Sequence, residues 1–183
     1  MIKLTDKERT KIVDELRQYQ EKYPGETGVV EAFTNFILRN VDCLSRNCLH
    51  GHITTSAWIE NREGTRFLLT KHKKLKKWLQ LGGHVEKSGD LLSEALREST
   101  EESGLENLLS KTGGFFDLGI YSIPEFNGVS AHYHYDVRFL LTSLDDEEKI
   151  KISDESDDLG WFESIPPGSG DLERMFEKWR LSQ

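Results

Sequence analysis

The segment that decides the fold comprises residues 82–105, with the sequence GGHVEKSGDLLSEALRESTEESGL. Two glycines open it, and a pattern of helical period runs from about Leu91 to Ser103. Glycine pairs are typical of places where the backbone turns or passes close to another group. The segment therefore predicts the end of a strand, then a short loop, and then one long helix that begins near Asp90.

The predicted helix carries a row of acidic side chains. They stand at positions i, i+4, i+7 and i+8 and fall on one side of the helix: Glu94, Glu98, Glu101 and Glu102. Like charges at this spacing destabilise an isolated helix. A hard divalent cation would remove that cost, because Mg²⁺ binds one or two protein carboxylates together with water and substrate phosphates. Without such a cation, the row is a solvated acidic face.

The same segment resembles the Nudix box, in which a glycine, a glutamate and a final Arg-Glu, Glu-Glu, Gly run stand at fixed gaps. Gly83 opens the box here, and Arg97 and Glu98 follow fourteen and fifteen positions later. The remaining matches are Glu101, Glu102, Gly104 and the apolar Leu105. The resemblance implies a Nudix-type α/β/α sandwich with a mixed β-sheet, and a hydrolase that cleaves diphosphate bonds with the help of divalent metal ions.

Carried over position by position, the resemblance also implies roles for individual residues. The metal ligands that it implies are Glu98 and Glu102, together with Glu101 and the carbonyl of Gly82. Arg97 is implied as the partner that orients a glutamate, which makes the expected catalytic set Glu98, Glu101, Glu102 and Arg97. The implied ion is Mg²⁺, with Mn²⁺ as the alternative.

One position departs from the box. Where the family carries its first glutamate, this chain has Gly89, and an acid follows only at Asp90. The family's glutamate supports the arginine of the box, so Asp90 is a candidate replacement for it. The alternative is that Asp90 caps the N-terminus of the helix, and the two roles are compatible.

Segments outside the box look like one branch of the same family. They are residues 50–54, 78–84 and 132–136, and the resemblance covers about residues 46–165. We expect an N-terminal helical extension over residues 1–45 and a Nudix hydrolase domain over residues 46–183. Periodicity supports this division, because helical patterns occupy about 6–22 and 29–40, whereas strand patterns begin at His50.

Further strands are predicted at 66–70, 115–123, 132–142 and 158–162, and a closing helix near the C-terminus includes Leu172 and Trp179. Strands on either side of a helix, with more helices at the ends, indicate an α/β or α+β layered domain. The acidic segment 145–158 is predicted as a loop.

Four other residues are candidate substrate contacts: Lys74, His84, His132 and His134. Lys74 belongs to a run of five lysines that could steer a phosphorylated ligand, and a solvated loop is the alternative. His132, His134 and Asp136 share one face of their strand, where they could bind a metal or a substrate or could simply be hydrogen-bonded. Trp58 and Tyr121 could stack on a base, although buried aromatic residues more commonly form the core.

The composition excludes several classes of protein. A net charge of -8 and a pI near 5.3 argue against a protein that coats nucleic acid. Cys43 and Cys48 are too few for a disulfide framework, so reduced thiols are expected. The charged N-terminus has no secretory pattern and no stretch is a membrane span, so we expect a cytoplasmic protein with a small-molecule partner. A homodimer is compatible with the sequence.

The function expected is therefore metal-dependent hydrolysis of a diphosphate bond in a nucleoside diphosphate derivative or a similar small molecule. The general base is expected to be Glu101 or an acid of segment 145–155. One alternative is a catalytically weakened Nudix-fold module that binds nucleotides or regulates, which the departure at Gly89 invites. A metal-dependent isomerase on the same fold is the other. Nucleoside triphosphates, nucleotide sugars, ADP-ribose and dinucleoside polyphosphates all stay open as substrates.

Overall fold

A computed structural model describes residues 3–126, 128–167, 169 and 172–183 of the chain. The α-helices are Asp6–Lys22 (α1), Thr27–Arg39 (α2), Leu91–Ser103 (α3) and Glu173–Arg180 (α4). Two single turns of 3₁₀-helix lie at Pro24–Glu26 and Glu147–Lys149. The predicted helices are confirmed, and the bounds of the central one coincide with those expected from the sequence.

Eight strands form a mixed sheet. They are Gly51–Glu60 (β1), Phe67–His72 (β2), Trp78–Leu79 (β3), Leu81–His84 (β4), Leu108–Ser110 (β5), Asp117–Ile123 (β6), His132–Ser143 (β7) and Ser156–Phe162 (β8). The order of the hydrogen-bonded strands is β3-β2-β1-β7-β5, with β4 paired to β1, β6 to β7 and β8 to β2. The α/β fold class with a mixed sheet is thus confirmed.

The start of the chain shows how local sequence determines the first helix. Thr5 and Glu8 form a reciprocal capping box at the N-terminus of α1, and Pro24 follows its end. The buried positions of α1 are Ile12, Leu16 and Tyr19. Their helical spacing places them on one face, which is the amphipathic pattern expected from the sequence.

The chain divides into two compact units. Unit 1 comprises residues 1–55, 83–94 and 114–138, and unit 2 comprises residues 56–82, 95–113 and 139–183. In unit 1, the ring of Phe36 stacks on Tyr135 at 4.0 Å between centroids, and Phe33 meets the same tyrosine edge-on at 5.3 Å. Helix α2 is therefore fastened to strand β7 by aromatic contacts.

A close backbone approach joins β1 to β7 within unit 1. A Cβ built on Gly51 would lie 2.2 Å from the carbonyl oxygen of Tyr133, a distance that no side chain tolerates. The φ of Gly51 is 142°, a conformation that glycine adopts far more readily than other residues. This glycine lets the two strands meet at the point where their histidines follow.

The core of unit 2 contains several aromatic rings, and one buried carboxylate beside them accepts hydrogen bonds from four residues. Trp58 and Phe67 stack at 4.4 Å, and Trp179 of α4 meets Phe67 at 5.3 Å. Glu60, which is 2% exposed, accepts hydrogen bonds from Trp179, Lys111, Thr142 and Gln183. Burial raises the pKa of Glu60, but these hydrogen bonds outweigh that effect and lower it overall.

Several details differ from the sequence-based expectation. Strands β3 and β5, of two and three residues, were not expected, and segment 145–158 contains a 3₁₀ turn and the start of β8 in addition to loop. Every residue of β1 is buried although its sequence alternates, because both faces of this central strand are covered. The boundary at residue 45 stays a prediction.

Cys43 and Cys48 are free and buried, as expected. Among the described residues, none of the helices combines the length and the apolar character that crossing a membrane would require.

Candidate active site

Glu102 is hydrogen-bonded to Gly82, the first glycine of the pair at residues 82 and 83. The N–H of Gly82 donates to Glu102 Oε2 at 3.1 Å, and Gly82 has a φ of 155°. Burial raises the pKa of Glu102 to about 7, the charges of Glu98 and Glu155 add to the increase, and the hydrogen bond from Gly82 opposes it. The carboxyl group of Glu102 therefore holds its proton at a higher pH than an exposed glutamate would.

Arg97 pairs with the other two glutamates of the box. Its guanidinium donates to Glu98 and to Glu101, each at 2.8 Å. The side chain of Glu98 is 15% exposed, whereas that of Glu101 is 54% exposed. This geometry places Glu98 deeper than Glu101, and the orienting role of Arg97 stays a prediction.

The donor set fits a hard divalent cation. Glu98, Glu101 and Glu102 bring three carboxyl groups together on the second half of α3, and Arg97 donates to two of them, Glu98 and Glu101. Carboxylate oxygens are the ligands that Mg²⁺ prefers, and such a cation commonly binds one or two protein carboxylates together with water and substrate phosphates. The residues present therefore suit the metal that the Nudix resemblance implies.

Glu94 serves the loop before the helix. Its carboxylate, 2% exposed, accepts hydrogen bonds from the backbone N–H groups of Glu86, Lys87 and Ser88 at 2.9, 3.0 and 2.8 Å. In the sequence, Glu94 belongs to one acidic row with the other glutamates, and this pattern did not indicate its contact with the loop. The position of Glu94 could have indicated this contact. It lies in the first turn of a helix that follows a glycine-containing loop, where backbone N–H groups lack partners within the helix.

At position 89 the helical extension supplies a carboxylate. A Cβ on Gly89 would lie 2.7 Å from the carboxyl group of Glu8, which accepts a hydrogen bond from the Gly89 N–H. Asp90 Oδ2 accepts from the Ser93 hydroxyl at 3.0 Å, and Oδ1 lies 3.6 Å from Lys11 Nζ. These contacts suit a residue that caps α3 and docks α1, while support of Arg97 by Asp90 stays a prediction.

The acids of segment 145–155 differ in their contacts. Glu147 accepts from Arg66 at 2.9 Å and from Asn61 at 2.8 Å, so it is committed to structural contacts. Asp145 caps the backbone of Glu106 and Asn107, each at 2.8 Å. The charge of exposed Glu155, by contrast, is one of the causes that raise the pKa of Glu102.

The lysine run lies beside strand β8. Lys76 pairs with Asp157 at 2.7 Å, and Lys73 donates to the carbonyl of Asp154 at 3.3 Å. Lys74 is exposed, and its backbone N–H donates to His72 Nδ1 at 3.2 Å. Part of the run is therefore balanced by acids of the same unit, and a substrate contact by Lys74 stays a prediction.

Four histidines gather in unit 1. His52 lies on β1, His84 on β4, and His132 and His134 on β7, with ring centroids 4.6 to 5.2 Å apart in five of the pairs. Burial lowers the pKa of His52 and of His84 to about 3, and that of His134 to about 4. The charges of neighbouring histidines and of Arg46 add to these decreases, so the three imidazoles are neutral at pH 7.

Asp136 belongs to a separate network. It accepts from the Thr54 hydroxyl at 2.9 Å and from Arg138 Nε at 2.9 Å, and Arg138 also pairs with Asp117. Trp58 is fully buried and belongs to the core, and the guanidinium of Arg138 lies over the ring of Tyr121 at 5.2 Å. Base stacking by Trp58 is thus excluded by its burial.

Comparisons with known proteins agree with this geometry. The family model described as NUDIX domain matches residues 50–165. A MutT protein from Methanosarcina mazei Go1 has a similar structure, with a TM-score of 0.54 and 21% identity over 73% of this chain and 95% of that one. A NUDIX hydrolase from Nitrosomonas europaea gives a TM-score of 0.51 and 22% identity over 72% of this chain and 73% of that one. No curated protein matches the chain. At these identities the two structures show the fold alone.

Proposed function

The chain belongs to the Nudix family, and on that premise we propose that it cleaves a diphosphate bond in a nucleoside diphosphate derivative or a similar small molecule, using Mg²⁺ or Mn²⁺. As a Nudix-type pyrophosphohydrolase it acts on phosphoric anhydride bonds. The observation that carries the proposal is the gathering of three box glutamates, in which Arg97 donates to Glu98 and Glu101 and the N–H of Gly82 donates to Glu102. Gly82 and the elements β4 and α3 hold the group in place.

Each residue of the group has a distinct task in this proposal. Glu98 and Glu102 bind the cation, and Glu101 completes the set at its exposed side. Arg97 keeps Glu98 and Glu101 oriented, because it donates to both. The N–H of Gly82 fixes one oxygen of Glu102 and leaves the other oxygen free to point at the ion.

The bound cation supplies the charge that a diphosphate needs: it neutralises the phosphoryl oxygens and lowers the pKa of a water molecule. Attack by a water molecule at phosphorus would form one P–O bond and break the anhydride P–O bond, so that two phosphorylated fragments would leave. The proton of the water passes to a carboxylate. We assign this role to Glu155, because it is exposed and its charge is felt by Glu102.

The contrasting function is a Nudix-fold module that binds nucleotides without turnover. Its motivation is the glycine at position 89. In the folded chain, however, Glu8 occupies the space beside Gly89 and Glu94 binds the N–H groups of the loop. The loop thus has carboxylate support without the family's glutamate, which favours an active enzyme.

The test is Glu102→Gln, assayed for phosphate release on a panel of nucleotide diphosphate derivatives across a Mg²⁺ titration. We expect kcat to fall by about 100-fold or more, because the amide keeps the shape of the side chain but loses the charge that holds the cation. The melting temperature without metal should be unchanged or slightly higher, since the like-charge repulsion relieved is worth a few tenths of a kcal/mol.

Glu106→Gln is the matched control, because Glu106 is exposed and follows the same helix outside the metal set. It should keep full activity. Near-normal turnover by a well-folded Glu102→Gln protein would contradict the assigned site. Absence of Mg²⁺-dependent turnover in the unchanged protein across the whole panel would favour the binding module instead.

A further inference from the structure

We propose that His52, His132 and His134 form a second metal site, selective for Zn²⁺ and related transition-metal ions and separate in chemistry from the carboxylate site. One ligand nitrogen from each of the three lies within 4.8 Å of the others. All three residues belong to unit 1. The proposal is independent of the hydrolase activity.

The backbone brings these side chains together. His132 and His134 alternate on β7 and so share one face of that strand. His52 follows Gly51, whose missing Cβ allows β1 to approach Tyr133 between the two β7 histidines. Residues from two strands therefore converge because one glycine permits the contact.

His52 provides the strongest indication of an absent ligand. The residue is 3% exposed, and its two buried ring nitrogens find no hydrogen-bond partner among the residues that the structure describes. A buried imidazole in that state loses the hydrogen bonds that water would give it, which destabilises the folded chain. A metal ion between the three rings would give one of these nitrogens its partner.

His132 is already oriented as a metal ligand. Its Nδ1 lies 2.8 Å from the carbonyl oxygen of Ser130, which selects the tautomer that donates from Nδ1. The lone pair then lies on Nε2, which is 3.3 Å from His134 Nε2. Two nitrogen ligands of a tetrahedral zinc lie about 3.4 Å apart, given Zn–N bonds of about 2.0–2.1 Å.

The ligand type identifies the class of metal. Neutral imidazole nitrogen suits Zn²⁺, Co²⁺, Ni²⁺ and Cu²⁺, whereas Mg²⁺ and Ca²⁺ prefer oxygen. Three histidines and one further position match zinc sites that keep a place for water. His84 lies beside this group, with its ring 5.0 Å from His52 and 5.2 Å from His134, and the fourth position is left for water.

The positive charge of Arg46 disfavours a cation at the three histidines. Arg46 lies close enough to depress the pKa of His52, His84 and His134. Its guanidinium, however, pairs with Glu86 at 2.6 Å, which offsets its charge. The opposition should weaken zinc binding without preventing it.

The experiment measures Zn²⁺ retention by the full chain, free of any polyhistidine tag, after chelator treatment, reloading with Zn²⁺ in excess Mg²⁺, and desalting. We expect about one Zn²⁺ per chain with a Kd at or below about 1 μM. The double variant His132→Gln/His134→Gln should bind at least about 100-fold more weakly. The matched control His50→Gln/His72→Gln changes two histidines outside the cluster and should bind like the unchanged protein.

Glu102→Gln should also keep its zinc, since the excess Mg²⁺ and the lost carboxylate affect only the other site. X-ray absorption at the zinc edge of the unchanged protein, which needs no variant to fold, should show imidazole ligands. Failure of the unchanged protein to retain Zn²⁺, equal retention by the His132/His134 double variant, or a zinc environment of oxygen alone would each overturn the proposal.

Discussion

At position 89 the side chain is a single hydrogen, and the carboxyl group of Glu8 lies where a Cβ would be. The box pattern by itself predicts that Gly89→Glu is tolerated, because the change restores the family's residue. The structure predicts a cost. A second carboxylate would face Glu8, which is already held by the Thr5 hydroxyl and backbone in the capping box of α1.

We therefore expect Gly89→Glu to lower the free energy of unfolding by about 1–2 kcal/mol, through like-charge repulsion and loss of the cap. Chemical denaturation measures this. Gly28→Glu is the control, since a Cβ there meets nothing within 4 Å. Equal stability of the Gly89→Glu protein and the unchanged one would show that the Glu8 contact contributes nothing.

The sequence allowed some single-residue roles to be predicted and not others. Arg97, Glu98 and Glu102 stand at fixed gaps in a motif, so their association could be expected before any fold was known. The contact between Glu8 and Gly89 joins two remote segments, and it depends on how α1 docks. Spacing within a motif carries no information about such a contact.

At the scale of elements, helix α3 does two things at once. Its second half presents the box glutamates, and its first turn binds the preceding loop through Glu94. The helical period was enough to predict its bounds. It could not separate Glu94 from Glu98, because residues four apart share a face whether they meet solvent, metal or backbone.

Glu94→Gln tests the loop function of this element. The amide oxygen can replace only one of the two accepting oxygens, its NH₂ group cannot accept at the other, and the negative charge is lost, so we expect a loss of about 1–3 kcal/mol in stability. Amide hydrogen exchange at residues 86–88 should become faster. Glu106→Gln should change neither quantity, and unaltered exchange in the Glu94→Gln protein would remove Glu94 from this role.

The shortest strands could not be predicted from the sequence. Strands β3 and β5 contain two and three residues, which is too few for a period of two to be recognised. Their place is decided by pairing, as Trp78 pairs with Lys71 and Leu108 with Ser143. Long strands with clear alternation, such as β7, could be predicted.

At the scale of the whole molecule, the histidine cluster makes stability depend on pH. Burial lowers the pKa of His52, His84 and His134 in the folded chain below the usual 6.5. The unfolded chain therefore binds more protons once the pH falls below about 6.5, and the folded state loses stability as the pH falls toward 4. The loss should be about 1 kcal/mol per histidine at pH 5.5.

Melting temperatures in chelator between pH 7.5 and 4.5 measure this dependence. The His134→Gln protein should show a shallower decline than the unchanged protein, because one titrating group has been removed. The His50→Gln protein should follow the unchanged one. Parallel curves for all three would show that His134 is protonated as easily in the folded chain as in the unfolded one. Zinc, if bound, should flatten the curve at its upper end.

The contact of Glu8 with Gly89 also bears on where the smallest independent enzyme begins. The family match starts at residue 50, which would invite trimming everything before it. Yet Glu8 and Lys11 hold Gly89 and Asp90, and Phe33 and Phe36 pack on Tyr135. A protein that began at residue 50 would keep every residue of the Nudix box but would lose these contacts of α1 and α2. A truncated protein that is meant to fold and act should therefore include the helices before residue 50 as well as the segment that the family model matches.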